Sequence, residues 1–440
     1  MPHPVAERIL EEARRACGEA EVFFVESESA PVHFEANRVK AADSHETAGA
    51  ALRVIKDGRI GFSSTSRLDD PAALVEMALD TAQFGAEAAF SFPGPADFPR
   101  VDVFDPAIAE AALDGMVALG DAVVRDVRAL SNEVQVEGSV SVSRARITLL
   151  NTNGASVSYE RSGFSLGFEG TVIRGEDMLF VFDGMSSIAP IRDPAEVVSS
   201  IARQLEWASS TAAIDTKPMP VIFMPTAVPS VIVGPLMAAL NGKTVLQGTS
   251  PLAERLGERV VDERISLTDD TTLPGVPGSR MSDDEGVPSR RLPLVNAGAA
   301  ANFIYDLQTA GKAGAQSTGS GERSLSSPPS PSAGVLLVGE GDASLEEMIA
   351  GIDEGLIVER LLGAGQSNIL GGDFNANVLL GFKVEKGKVK GRVKDTMVAG
   401  NVYKALNDVI AVGSEGRWLG GSLYAPPIAC ANIAVAAQAG

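Results

Sequence analysis

Histidine is nearly absent from this chain. Of 440 residues only His3, His33 and His45 carry an imidazole, and nothing after His45 does. Almost the whole chain therefore lacks the side chain that most often serves as catalytic base or transition-metal ligand. Cysteine is equally scarce. Cys17 and Cys430 cannot build a disulfide framework, and each lies in an apolar stretch where a buried, reduced thiol is expected, which suits a reducing cytoplasm. Positive charge is in deficit, with 37 Lys and Arg against 57 Asp and Glu and a net charge of −20. That balance repels a phosphate backbone and gives no general footprint for nucleic acid. No uninterrupted apolar run reaches the roughly 18 residues of a membrane-crossing helix. The opening segment, with Glu7, Arg8, Glu11 and Glu12, does not read as a secretory signal. A cytoplasmic protein without membrane or nucleic-acid partners is the expectation.

What is present is ordinary globular material. Hydrophobic residues make up 45% and charged residues 21%, enough for packed cores, and the length exceeds what one core usually serves. The one basic cluster, Lys383, Lys386, Lys388, Lys390, Arg392 and Lys394, alternates around Glu385-Lys386-Gly387 and reads as the solvent face of a hairpin.

The tripeptide Asp-Pro-Ala occurs at residues 70–72, 105–107 and 193–195, each time before helical periodicity. Asp accepts orphan N–H groups at an N-cap and Pro tolerates the first helical position, so three helix starts are predicted. Between them the period changes to two. Asp57-Gly58 separates two apolar runs as a hairpin turn, and a second sheet is expected from Glu133 to about Asp183 with a turn at Asn153-Gly154. Residues 4–86 and 106–212 thus each read helix, strands, helix. The fold class is α+β: a duplicated helix–antiparallel sheet–helix N-terminal half followed by a mixed, β-rich C-terminal domain. The divisions expected are 1–90, a Pro-rich linker 91–105, a second subdomain 106–216, and 217–440.

In the C-terminal part, Val221-Ile222-Phe223-Met224 reads as a buried strand, residues 226–240 as an apolar helix, and Ser344-Leu345-Glu346-Glu347 as a capping box. Ile428–Ala439 reads as a buried strand. Gly311–Gly334, rich in Gly, Ser and Pro, is long for a loop and is expected to be functional or wrapped over a site.

Generic catalytic patterns fail on context. Gly163-Phe164-Ser165-Leu166-Gly167 fits a nucleophile elbow, but no histidine follows and Ser165 sits in an alternating strand. Gly242-Lys243-Thr244 lacks the strand that leads into a phosphate-binding loop, and Gly363–Asn368 lacks the third glycine of a dinucleotide loop. Asp283-Asp284-Glu285 offers hard oxygen ligands without the spacing of a calcium loop, and reads as a solvated or capping turn closed by Gly286. Ser317, Thr318 or Ser320 as nucleophile would need a lysine base such as Lys312.

Several ordered motifs nevertheless resemble the TldD/PmbA (TldD/TldE) family, once described as modulators of DNA gyrase. They are Val245–Leu252, Asp283-Asp284-Glu285-Gly286-Val287-Pro288-Ser289, Thr309-Ala310 with Ser317-Thr318-Gly319, Gly371-Gly372-Asp373-Phe374, and Pro426-Pro427-Ile428. The resemblance implies a zinc metallopeptidase scaffold in which a His-Glu-x-x-x-His helix and a later cysteine hold the metal. Here Gly234, Pro235 and Ala239 occupy the degenerate zinc-helix positions, and none offers a ligand. No catalytic residue, metal ligand or cofactor is therefore assigned to this chain.

The departure resembles the TldE/PmbA branch. It implies a non-catalytic subunit that encloses unfolded peptide, with zinc and peptidase activity on a TldD-like partner, or a homodimer of the same shape. The candidate peptide contacts are Asp283, Asp284, Glu285, Gly286, Ser317, Thr318 and Gly319. The alternatives are a stand-alone homodimeric peptide- or ligand-binding protein and, more remotely, a non-zinc hydrolase.

Overall fold

The computed structural model describes residues 2–437. The N-terminal half is built on long antiparallel strands. Helix α1 (Pro4–Ala16) precedes β1 (Glu19–Glu35), β2 (Arg38–Ala42), β3 (His45–Lys56), β4 (Arg59–Thr65) and α2 (Pro71–Ala82). After the Pro-rich segment come α3 (Leu113–Leu130), β5 (Gln135–Asn151), β6 (Ser156–Arg174), β7 (Asp177–Ser187) and α4 (Ala195–Trp207). Both predicted hairpin turns form, joining β3 to β4 and β5 to β6.

Helix–strands–helix appears twice, as the pattern implied, but the second set of strands is not a separate sheet. β1 pairs antiparallel with β5 from Glu21–Asn151 to Phe34–Gly138, so the order β4-β3-β1-β5-β6-β7 is one continuous sheet. Alternation marks a strand and its faces but carries no information about its neighbour, which is why the two sets read as independent.

Toward both ends of β1, even-numbered residues face the helices. Val22 and Phe24 pack with Leu52, Ile9 and Leu74 under α1 and α2, while Val32 and Phe34 pack with Val123, Phe168 and Ile201 under α3 and α4. Close approach of α3 to the sheet depends on Gly120, where a Cβ would lie 2.0 Å from the Phe34 ring. Two Asp-Pro-Ala sites open α-helices, with Asp70 accepting from Ala73 N and Asp193 from Ala195 N. The third opens only a 3₁₀ turn, Pro106–Glu110, because Asp105 caps Ala107 and extended backbone at Ala112 delays α3 until Leu113.

The C-terminal part centres on a closed five-stranded ring. Strands Glu354–Leu362, Lys217–Phe223, Ile428–Ala437, Thr396–Asn401 and Asp373–Glu385 pair in that order, and the last returns to the first. The first two are parallel and the others antiparallel, a small mixed barrel without free edges around the ring. Alternation distributes its strands between two cores. Val221 and Phe223 join the cluster of Val231, Leu236 and Ile428, whereas Ile222, Ile357 and Phe382 pack toward Val197 and Ile201 of α4.

The predicted 226–240 helix is in two pieces: a π-helical turn, Pro229–Val233, continuing into Gly234–Leu240. Gly234 N reaches back to Pro229 O, and Pro235 has no N–H to give Val231, so the regular i to i−4 ladder is interrupted there. The basic cluster lies on the hairpin turning at Lys386-Gly387, and much of it is paired: Lys390 with Glu385, Lys383 with Glu354, and Arg392 and Lys394 with Asp177. The capping box at Ser344 and Glu347 forms. The last strand is buried on one face as far as Ala437, and the remainder of the predicted stretch falls outside the described residues. Among the described residues no helix is long and apolar enough to cross a membrane.

Candidate functional site

The helix Gly234–Leu240 lies inside apolar packing. Pro235 and Ala239 are buried, Gly234 is exposed, and Leu236, Ala239 and Leu240 belong to the main C-terminal core. Of Gly234, Pro235 and Ala239, which the resemblance aligns with its zinc helix, none carries a side-chain donor atom, so these residues do not fit the metal that the resemblance implies. Cys430 packs in that same core, on the strand beside Val221, fully buried. Burial pushes its thiol up to about 12, with a smaller contribution from Asp408, which disfavours the thiolate a metal requires. Among the described residues no group of three or more His, Cys, Asp or Glu is arranged to hold a metal ion. The three histidines lie far along the chain from this helix, at the N-cap of α1 and on β1 and β3.

At its C-terminal end this helix leads into the segment where the sequence motifs converge. Gly242 N donates to Ile304 O, and Asn241 Nδ2 donates to Pro331 O. The next residues, Tyr305–Leu307, are gripped from two sides. Thr318 Oγ1 accepts from Tyr305 N at 2.7 Å, and Glu285 Oε2 accepts from Leu307 N at 2.6 Å. Asp306 caps the helix Leu307–Ala313 through a box with Thr309. The helix end, the acidic run and the Ser317–Gly319 loop thus meet around four residues.

The acidic run is not a solvated turn. Asp283 is 2% exposed and Glu285 is fully buried. The closing turn at Gly286 does form, with Gly286 N donating to Asp283 O and a φ of 78°. What burial adds is a set of internal partners. Asp283 accepts from Glu285 N, Val287 N and Gly321 N, and Asp284 accepts from Arg323 N. Burial raises both carboxyls, while Arg280 and these backbone donors pull the other way. Gly321 sits so close that a Cβ there would lie 2.6 Å from Glu285 Oε2. Ser317 and Thr318 are half-buried. Their hydroxyls donate to Tyr305 O and Ser320 Oγ, with no lysine among the partners, and Lys312 is exposed.

From this loop cluster a buried ionic chain reaches the N-terminal sheet. Arg53 of β3 meets Glu285 Oε1 at 2.6 Å and Glu21 of β1 at 3.1 Å, and Arg323 meets Glu21 at 2.7 Å. All four side chains are 3% exposed or less. Burial works against the Arg53 charge, but Glu21 and Glu285 outweigh it and hold the guanidinium protonated. The Arg53 guanidinium packs against Phe90 and Phe92, whose ring centroids lie 4.9 and 5.0 Å away, while Arg323 lies over Phe23 at 4.7 Å. Gln308 fastens the residues just before the Pro-rich segment, donating to Glu87 O and accepting from Ala89 N.

The 311–334 stretch, expected to be functional or wrapped over a site, packs against the N-terminal sheet through Arg323 on Glu21. Glu21, Arg53 and Arg323 escaped the sequence reading. For the first two the signal is a charged residue inside an apolar strand run, Ala20-Glu21-Val22 and Leu52-Arg53-Val54; Arg323, in Gly321-Glu322-Arg323-Ser324, has none. The remaining patterns are locally consumed. Ser165 is a residue of β6, and Thr244 Oγ1 donates to Ala238 O and Asn241 O.

This scaffold is that of a metallopeptidase family. Residues 20–82, 105–208 and 216–437 match, in order, domain 1, the central domain and the C-terminal domain of the PmbA/TldA metallopeptidases, and the chain belongs to that family. Uncharacterized protein MJ0231 of Methanocaldococcus jannaschii is 27% identical over 96% of this chain and 97% of its own length. Metalloprotease PmbA of Escherichia coli O157:H7 is 24% identical over 90% and 87%. Among solved structures, TldE from Thermococcus kodakarensis superposes with a TM-score of 0.90 and 26% identity, covering 98% of this chain and 100% of that one. A candidate modulator of DNA gyrase from Thermotoga maritima shares the fold at a TM-score of 0.87 with 21% identity, over 98% and 99%.

Proposed function

We propose that this chain is the non-catalytic, TldE-like subunit of a TldD/TldE-type peptidase, enclosing unfolded peptide that a zinc-bearing TldD-like partner cleaves. What supports the reading is the composition of one helix: Gly234, Pro235 and Ala239, which the resemblance aligns with the ligand positions, carry no side-chain donor atom, within a fold that matches TldE along the chain. The full-length likeness to TldE supports it. Within this reading Ser317 and Thr318, the half-buried members of the convergent loops, hold the place of peptide contacts. Asp283, Asp284, Glu285, Gly286 and Gly319 set the shape of that loop. An extended peptide would be held chiefly by main-chain pairing.

The test is co-expression with a TldD-like chain bearing His-Glu-x-x-x-His. The expected outcome is a heterodimer that cleaves an unfolded peptide in a chelator-sensitive manner, with no cleavage by this chain alone plus zinc. Cleavage by the isolated chain would sink the proposal. Homodimers that persist whatever partner is supplied would favour a stand-alone binding protein.

A further inference from the structure

Away from the convergent loops, a cleft of about 450 Å³ opens between α4, the Ala343–Glu346 segment and the Gly413–Arg417 loop. Six charged side chains line it: Glu196, Glu346, Glu359 and Glu415 against Arg203 and Arg417. Four carboxylates face two guanidiniums, a surplus of two negative charges. Arg417 is already committed, since both of its terminal nitrogens grip Asp183 at 2.6 and 2.7 Å.

Glu359 is different. It is 3% exposed, its Oε1 has Arg203 at 3.7 Å and the Thr226 hydroxyl at 3.5 Å, and its Oε2 has no hydrogen-bond partner among the described residues. A second cavity, of about 560 Å³, reaches the same side chain from the β6–β7 side. A buried carboxylate oxygen without a partner is costly, and folded proteins rarely leave one. The Nε atoms of Arg203 and Arg417 are likewise buried and without acceptors. Beside Arg203, then, Glu359 still has one oxygen without a donor, and the two arginines lack an acceptor at Nε. Pro225, Leu345 and Pro427 supply apolar wall between them.

We propose that this cleft receives a lysine side chain of an extended peptide, its ammonium on Glu359, its alkyl stem along the apolar wall, and a neighbouring peptide carbonyl on the arginine Nε–H groups. The inference rests on the reading above only in naming a peptide as the carrier. It concerns the isolated chain, so failure to pair with a TldD-like partner would leave it standing.

The experiment is calorimetric titration of the full chain with N-acetyl-lysine N-methylamide, the matching norleucine compound and cadaverine. Saturable binding of the lysine compound is expected, at least tenfold weaker for norleucine, which lacks the charge, and weaker for cadaverine, which lacks the carbonyls. Glu359→Gln, which keeps the shape, should lower lysine binding by a similar factor. Equal binding of lysine and norleucine compounds, or binding undiminished by E359Q, overturns the proposal. Tighter binding of cadaverine overturns the peptide as carrier and assigns the cleft to a free amine. The charged-against-neutral comparison is made on the unaltered chain, so it decides even if E359Q does not fold.

Discussion

Arg53 and Glu285 stand 232 positions apart in the chain and meet at 2.6 Å in a site with almost no solvent access. The contact joins β3 of the N-terminal sheet to the acidic loop of the C-terminal part, and Glu21 extends it to Arg323. Removing one member leaves the other's buried charge uncompensated or forces it to neutralise, which typically costs about 3–5 kcal/mol. Arg53→Ala and Glu285→Ala should each lower the denaturant midpoint sharply. The Arg53→Ala/Glu285→Ala double variant should cost less than the sum of the two. Additive losses in that double-mutant cycle would mean that the two residues act independently.

The three backbone donors collected by Asp283 make a second prediction. Asp283→Ala orphans the N–H groups of Glu285, Val287 and Gly321, each worth on the order of 1–3 kcal/mol when buried and unsatisfied. Because Gly321 belongs to the wrapped segment, limited proteolysis should cut the 314–335 region faster in D283A than in the unaltered chain. Unchanged cleavage would show that the segment is held elsewhere.

How much of this was legible beforehand depends on the range of the interaction. Asp70 with Ala73, Ser344 with Glu347 and the Asp57-Gly58 turn are local, and spacing alone reveals them. The sheet continuity through β1 and β5, and the burial of Asp283 and Glu285, depend on partners far away in the chain. An acidic triplet before a glycine looks the same whether it faces water or Arg280 and Arg53. The charged residues inside apolar strands were the one readable sign of the second case.

A pH prediction follows from Asp269, which accepts from Gly334 N and Val335 N. Burial raises its carboxyl to about 6, against the opposing pull of those donors and Arg280. A carboxyl raised in the folded state binds its proton more tightly there than when unfolded. Its contribution is therefore fully present below the ordinary carboxylate value and is lost as pH rises from about 4 through about 6. Asp269→Asn keeps an acceptor but cannot titrate. Relative to the unaltered chain, D269N should gain stability between pH 4 and pH 7, by roughly 1–3 kcal/mol. A difference that stays flat across that window would contradict the assignment.

The two thiols make a fourth prediction. Cys17 donates to Ala13 O at 3.2 Å, and burial raises both it and Cys430. Neither should react rapidly with a disulfide reagent at neutral pH, and both should react once the chain is denatured. Fast reaction of one thiol in the native protein would place it in a more open or more electropositive setting than the packing indicates.

The strand Lys217–Phe223 lies between Glu354–Leu362 and Ile428–Ala437. During synthesis its neighbours emerge roughly 130 and 200 residues later. The ring cannot close on the ribosome until residues 428–437 have cleared the exit tunnel, whereas the N-terminal sheet is complete once Ser187 has emerged. The order of translation thus presents a finished sheet to an unfinished barrel. Truncations that remove the last strand should leave open the aggregation-prone edges of the strands it pairs with, Lys217–Phe223, Thr396–Asn401 and Val409–Val412.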